Sequence, residues 1–258
     1  MKIKILFLSS FIFTLGLNAQ QLPKQKIESF KRGEKLSFRL HYGFISAGTA
    51  TLEVKEEFQR IGNRNTFHVI GIGESQGAFD WFFRVRDRYE TFIDEEALLP
   101  WVFIRRVDEG GYHILEDYVF NQFKNKVDCG KGMVFNVLGD AQDMISAFYY
   151  ARNLDYSNAK KGDVFAINTF VDKKDFTVKI KYVGEETIKT DLGKFRCIKF
   201  NPVIQTGRIF KSEEDCIVWI TNDKNHIPLR VEGKIMVGSI KMDLTDYSGL
   251  ANPISKVE

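Results

Sequence analysis

The sequence predicts a mainly β protein: a curved antiparallel sheet or incomplete barrel made of two similar halves, with one central helix packed on it. Three observations carry this. Runs of alternating apolar and polar residues recur along the chain, as half-buried antiparallel strands require. One segment, "GDAQDMISAFYYARNLD", changes to a helical period. Two stretches, "YETFIDEEALLPWVF" (89–103) and "IVWITNDKNHIPLRV" (217–231), each set an acidic turn six residues ahead of a proline flanked by apolar residues.

The chain opens with Lys2 and Lys4, an apolar run from Ile5 to Leu17, and a small residue at Ala19. Thirteen apolar residues fall short of the roughly 20 that cross a bilayer, so residues 1–19 read as a secretory signal peptide. No cysteine follows the run, which argues against a lipoprotein anchor, and no later stretch suits a transmembrane segment. The expected localisation is exported, periplasmic or secreted. Residues 20–258 are expected to form a single β-rich domain: half one over about 27–136, helix and connection over about 139–162, half two over about 163–250.

In "GEKLSFRLHYG", Leu36, Phe38, Leu40 and Tyr42 share one face and Ser37, Arg39 and His41 the other. "TATLEV" and "NTFHVIGIG" continue the sheet, and "FDWFFRVRDRYETFI" reads as a long strand running into the first acidic turn. "PWVFIRRV", a Gly110–Gly111 turn and "YHILEDYVFN" complete a meander. In the helix Asp140 is the expected cap, with Met144, Ile145, Phe148 and Tyr149 on one stripe. "DFTVKIKYVG", "GKFRCIKFNPVI", "EEDCIVWIT", "IPLRVEGKI" and "GSIKMDLTDY" then build the second half. Adding 128 to Asp87, Pro100 and Gly110 reaches Asp215, Pro228 and Gly238 without a gap. Each proline suits the first residue of a strand, where its missing N–H costs little and its fixed φ stiffens the exit from the turn.

Without residues 1–19 the net charge falls from +3 to +1, and the charges are finely mixed. Nucleic acid is therefore not an expected partner, since phosphate binding wants concentrated basic surface. Aromatics make up 14% of the chain, 23 of them Phe, enough to fill a large core or to line an apolar ligand site. Cys129, Cys197 and Cys216 are too few and odd in number for a disulfide framework; Cys197 and Cys216 are a possible pair across neighbouring strands.

The runs "GEKLSFRLHYGFISAGTATLEV", "VRDRYETFIDEEALLPWVFIRR", "DMISAFYYAR" and "WITNDKNHIPLRVEGKIMVGSIKMDL" resemble the exported bacterial family called domain of unknown function 3108. The resemblance covers almost all of the chain beyond residue 19 and implies an exported, β-rich protein; it carries over no catalytic residues. The closing turn–proline–strand–glycine–strand run is also similar in architecture to the periplasmic lipoprotein carriers, where an incomplete barrel wraps an apolar cavity beneath a helical lid.

Chemistry is harder to find. His41, His68 and His113 sit on separate strands and His226 in a turn, without zinc-ligand spacing, so no metal and no cofactor are expected. "GIGESQG" has the wrong glycine spacing for a phosphate loop, and Ser75 lacks a nucleophile elbow. The expectation is a protein that is not an enzyme; a glycosidase-type carboxylate pair from separated strands is the less favoured alternative. Phe83, Val85, Asp87, Tyr89 and Ile93 share a strand face, so Asp87 interrupts apolar neighbours, as Asp215 does beside Ile217 and Trp219. Such a carboxylate is either a structural ion-pair member or the polar handle of a ligand cavity. The candidate ligand residues are Asp87, Trp81, Phe83, Tyr89, Trp101, Asp215 and Trp219; Arg84, Arg86 and Arg88 form a candidate polar contact face. The expected function is binding or carriage of an apolar or amphipathic ligand, a lipid or lipid-linked glycan. The alternative is a structural module whose partner is an envelope protein.

Overall fold

A computed structural model describes residues 21–203, 215–234 and 238–257; the leader-like residues 1–19 lie outside them. The first half supplies β1 (Lys35–Tyr42), β2 (Ile45–Val54), β3 (Gln59–Ile61), β4 (Arg64–Ser75), a short helix α1 (Gly77–Phe82), β5 (Arg86–Asp94), β6 (Pro100–Glu109), β7 (Tyr112–Asn121), β8 (Lys126–Asp128) and β9 (Val134–Asn136). Helix α2 (Met144–Arg152) follows. The second half is β10 (Val164–Val171), β11 (Lys174–Thr190), β12 (Gly193–Val203), β13 (Cys216–Thr221), β14 (Pro228–Lys234) and β15 (Ser239–Ser248), with a terminal pair β16 (Lys256–Val257).

All strands join one antiparallel sheet, in the order β10-β11-β12-β13-β14-β15-β1-β2-β4-β5-β6-β7-β8-β9, with β3 on β4 and β16 on β12. The halves meet at β15–β1, paired from Lys35↔Ser248 to Tyr42↔Ile240 with one bulge at Thr245. The sheet curves without closing. Phe170 of β10 packs on Tyr118, Phe120 and Phe135 of the opposite end at ring distances of 5.6, 6.5 and 5.6 Å, yet β10 and β9 do not pair. The free edge of β10 is covered by Gln142, whose N–H donates to the Asn168 carbonyl while its own carbonyl accepts from Phe170, both at 2.8 Å. The turn Asp172–Lys173, both residues at positive φ, reaches the first half, where Arg105 pairs with Asp172 at 2.6 Å and Lys173 with Glu116 at 2.9 Å.

Both prolines begin strands, and each is followed by the same device. Pro100 pairs with Ile93 and Pro228 with Ile220, and the next residues, Trp101 and Leu229, are extra residues in a bulge. The second turn is one residue longer on its incoming side: Ile93 to Pro100 spans one position fewer than Ile220 to Pro228. Counting back through the paired residues, Cys216 matches Tyr89, and Asp215 therefore matches Arg88. The equivalence of Asp87 and Asp215 read from the constant spacing fails by one residue, which in a strand changes the face.

Three further expectations are corrected. "FDWFFRVRDRYETFI" is not one strand: α1 covers its start and β5 begins only at Arg86. Among the described residues there are therefore two helices, not one. The cap of α2 is Asp143, not Asp140: its Oδ1 accepts from the Ile145 and Ser146 N–H groups at 2.7 and 2.8 Å, and Ser146 Oγ accepts from the Asp143 N–H, closing a capping box. Asp140 instead takes a positive φ in the preceding turn. Finally, Cys197 and Cys216 are free thiols. Cys197 pairs in register with Thr221, five residues along β13 from Cys216, or about 17 Å at strand rise, well beyond disulfide reach.

Candidate functional site

Helix α2 lies between the two halves, and its residues sort by face. Ile145 and Tyr149 pack into a core with Phe30, Val54, Val69, Ile93 and Leu98 of the first half. Met144, Ala147, Phe148, Ala151 and Arg152 form the adjoining stripe at helical spacing, and this stripe roofs a cavity of about 570 Å³. The single stripe expected from the sequence is thus split between two environments. The floor of the cavity comes from alternate positions of the second-half strands: Ile167 and Val171 of β10, Phe176, Val178 and Ile180 of β11, Phe200 and Pro202 of β12, and Val218 and Ile220 of β13. Ala147 and Ala151, one turn apart, leave the space that larger side chains would occupy.

The two ends of the cavity differ. Met144, Asp172 and Lys174, all exposed or partly so, bound the end near the β10–β11 turn, which makes that end the mouth. Arg152, Tyr156 and Pro228 bound the other end. Arg152 is buried and held on every side. Its guanidinium pairs with both oxygens of the buried Glu34 at 2.6 and 2.8 Å and donates to the Ser29 and Asn225 carbonyls at 2.9 and 3.0 Å. The rings of Phe148 and Tyr149 lie 5.6 and 5.2 Å away. Burial alone would lower the Arg152 pKa, but Glu34 raises it more, so the charge is retained.

Beyond Tyr156 a second, polar groove of about 810 Å³ is lined by Glu28, Asn153, Asp155, Glu185, Asp223 and His226 among others. Tyr156 borders both spaces and is pinned by donation from its hydroxyl to the Ala151 carbonyl at 2.6 Å. His226 Nδ1 lies 2.6 Å from the Arg152 carbonyl, and burial lowers its pKa.

None of the seven ligand residues proposed from the sequence lines the apolar cavity. Trp81 is 85% exposed on α1, and Phe83 caps that helix partly exposed. Asp87 is buried at 8% exposure, accepting from the Asp108 N–H at 3.2 Å and facing the Tyr89 hydroxyl at 3.5 Å. Among the described residues no lysine or arginine lies within ion-pair distance of it. Burial and the Asp87 charge both raise the Tyr89 pKa. Trp101 is buried, its Nε1 donating to Asp94 at 2.9 Å. Trp219 faces away from Val218 and Ile220, into a core with Leu36, Phe38, Phe195 and Leu244, and its Nε1 donates to Glu186 at 3.0 Å. Asp215 begins the described part of the chain beside β13 and its carbonyl accepts from Lys234. Arg84 is exposed, but Arg86 pairs with Asp80 at 2.6 Å and Arg88 with Glu90 at 2.8 Å, so the three arginines are not a free basic stripe.

The acidic turn is not uniformly solvated either. Asp94 is fully buried and accepts from Arg64 Nε and Nη2 at 2.6 Å each, from the Glu96 and Ala97 N–H groups, and from Trp101. Among the described residues no cluster of three or more His, Cys, Asp and Glu side chains is placed to hold a metal ion, and no helix is long and apolar enough to cross a membrane.

The architecture defines a class: a single curved antiparallel sheet, not closed into a barrel, with a helix over an apolar cavity. The chain belongs to the family described as protein of unknown function DUF3108, whose profile matches residues 37–245. The fold is shared with a β-barrel-like protein of the domain of unknown function DUF1849 from Brucella abortus, at a TM-score of 0.53 and 10% identity over 84% of this chain and 97% of that one. A protein from Parabacteroides distasonis described as a "putative lipoprotein" gives a TM-score of 0.37 at 11% identity, covering 89% of this chain and 100% of the other. A "putative exported protein" with a YmcC-like fold from Bacteroides fragilis gives 0.32 at 12% identity, covering 88% and 98%. A search of curated proteins finds no match.

Proposed function

We propose that this is a non-catalytic envelope protein that holds the hydrocarbon part of an amphipathic, lipid-like molecule in the cavity beneath α2. The observation that carries this reading is the cavity itself. It falls within the roughly 300–1,000 Å³ of small-molecule sites, and its lining is overwhelmingly apolar, with Thr169, Asp172 and Lys174 toward the mouth. Affinity would come from apolar area leaving water, at about 25 cal/mol per Å². The buried Arg152 is already satisfied by Glu34, so an uncharged chain end meets no unpaired charge at the closed end.

The test is a titration with single-chain amphiphiles of increasing length. Each added methylene is expected to tighten binding by about fourfold until the cavity is full. Ala151→Phe, which fills the space under the helix, is expected to abolish saturable binding while the protein stays folded. Binding that ignores chain length, or survives that substitution unchanged, would refute the proposal.

A further inference from the structure

One surface has no role in the cavity. The β1–β2 turn and α1 lie side by side at one end of the sheet: the Gln76 N–H donates to the Ala47 carbonyl, and the Tyr42 and Phe79 rings stand 6.3 Å apart. Their tips carry Phe44, fully exposed, Ile45, Trp81 at 85% and Phe82 at 79% exposure. Burying such side chains in water-free surroundings is strongly favourable, and none is used by this chain. The residues between them, 43–49 and 76–84, contain one carboxylate, Asp80, and it is neutralised by Arg86 at 2.6 Å. Arg84 adds one exposed positive charge at the edge.

We infer that this aromatic ridge inserts into the interfacial region of a lipid bilayer. The ridge consists of projecting tips from a turn and a short helix, a shape that suits a fluid surface which closes around it. Trp and Phe are side chains that settle at the headgroup boundary; the ridge's own carboxylate, Asp80, is paired, and exposed Glu74 and Arg84 at its rim offset each other. Because neighbouring strands alternate in direction, the β1–β2 turn, α1 and the β10–β11 turn all lie at the same end of the sheet. The mouth of the cavity, at Asp172 and Lys174, opens beside the middle of β6, where Arg105 pairs with Asp172, and the docking does not depend on its direction. This docking goes beyond the binding proposal and does not require the cavity to be filled.

Trp81 is a built-in reporter, because Trp101 and Trp219 are buried. The purified protein is mixed with vesicles of equal parts phosphatidylethanolamine and phosphatidylglycerol, with and without brominated acyl chains. The expected result is a blue shift and bromine quenching of an emission component that Trp81→Phe removes. Phe82→Ser and Phe44→Ser, both fully surface changes, are each expected to weaken sedimentation with vesicles about tenfold. Added salt should change binding little. No quenching, or quenching unaffected by these substitutions, overturns the inference. So does a concentration-dependent dimer that accounts for the Trp81 shift without vesicles. Amphiphile titration in the absence of vesicles is independent of all these outcomes, so failure of docking and failure of cavity binding are read separately.

Discussion

The two halves of the sheet bend around the same helix but treat it differently. Against the first half α2 places Tyr149 and Ile145, and the space is filled by Phe30, Val69 and Ile93, with Phe103, Tyr118 and Phe120 beyond and Phe170 of β10 packed on them. Against the second half it places Ala147 and Ala151, and a cavity remains. The halves share strand, bulged proline corner and glycine turn, so backbone plan does not decide which side is hollow. The difference lies in what fills the space against two adjoining stripes of one nine-residue helix, with Ala147 and Ala151 on the hollow side. A repeated architecture is thus packed solid on one side of α2 and hollow on the other.

The largest expected effect tests that contrast. Phe120→Ala, in the filled half, should cost about 3–5 kcal/mol because it opens a void among packed rings. Phe176→Ala, on the cavity wall, only enlarges an existing space and should cost about 1–2 kcal/mol. Equal costs in urea denaturation would erase the distinction between the halves.

Next comes a pair of buried carboxylates with opposite pH behaviour. Burial pushes the Asp143 pKa up to about 6, against the opposing bonds from Thr91 and the Ser146 and Ile145 N–H groups. The native state then holds this proton more tightly than the unfolded chain, so its contribution to stability falls as pH rises from about 4 to 6, on the order of 2–3 kcal/mol. For Asp94 burial also acts upward, but Arg64, Trp101 and two backbone N–H groups outweigh it and the pKa is lowered. Its contribution is full above the ordinary carboxylate range and is lost as pH falls below it. Stability measured against pH for Asp143→Asn and Asp94→Asn should diverge from the parent in opposite directions between pH 6 and pH 3. Parallel curves would contradict the assignment.

The smallest effect concerns the thiols of both halves. Burial pushes Cys197 up to about 12 and Cys216 and Cys129 to about 11, so none is a reactive thiolate near neutrality. Reductant should leave the melting temperature unchanged, and alkylation of the native protein at pH 8 should be slow at all three. A mass loss reversed by reductant would restore the disulfide.

Much of the fold was legible because strand alternation and proline placement are local properties. Pro100 and Pro228 begin strands for the reason their missing N–H suggests, and the shift from period 2 to helical period locates α2. The errors come from effects a spacing rule does not register. One extra residue ahead of Pro228 moves Asp215 out of correspondence with Asp87. Gly77, at positive φ, starts a short helix that runs into what reads as aromatic strand, and it turns Trp81 and Phe82 outward. An apolar cavity is expected, but its lining is assigned to the wrong residues, for a different reason. Its roof leaves room at Ala147 and Ala151, and alanine in a helix is too ordinary to draw notice, while its floor comes from alternate residues of four strands that read as core. Glu34 and Arg152 were likewise unmarked, since their pairing joins positions 118 residues apart.

The β15–β1 register has a consequence for how the protein is made. Two meanders whose strands pair mostly with their neighbours in the chain can each form quickly from local contacts. Their joining waits for residues 239–248 to reach residues 35–42, so the emerging N-terminal half exposes the unpaired edge of β1 until nearly the whole polypeptide has been delivered. The period of greatest vulnerability to aggregation therefore ends with the arrival of the last long strand, and a factor that shields a lone β edge would be of most use to this chain during that wait.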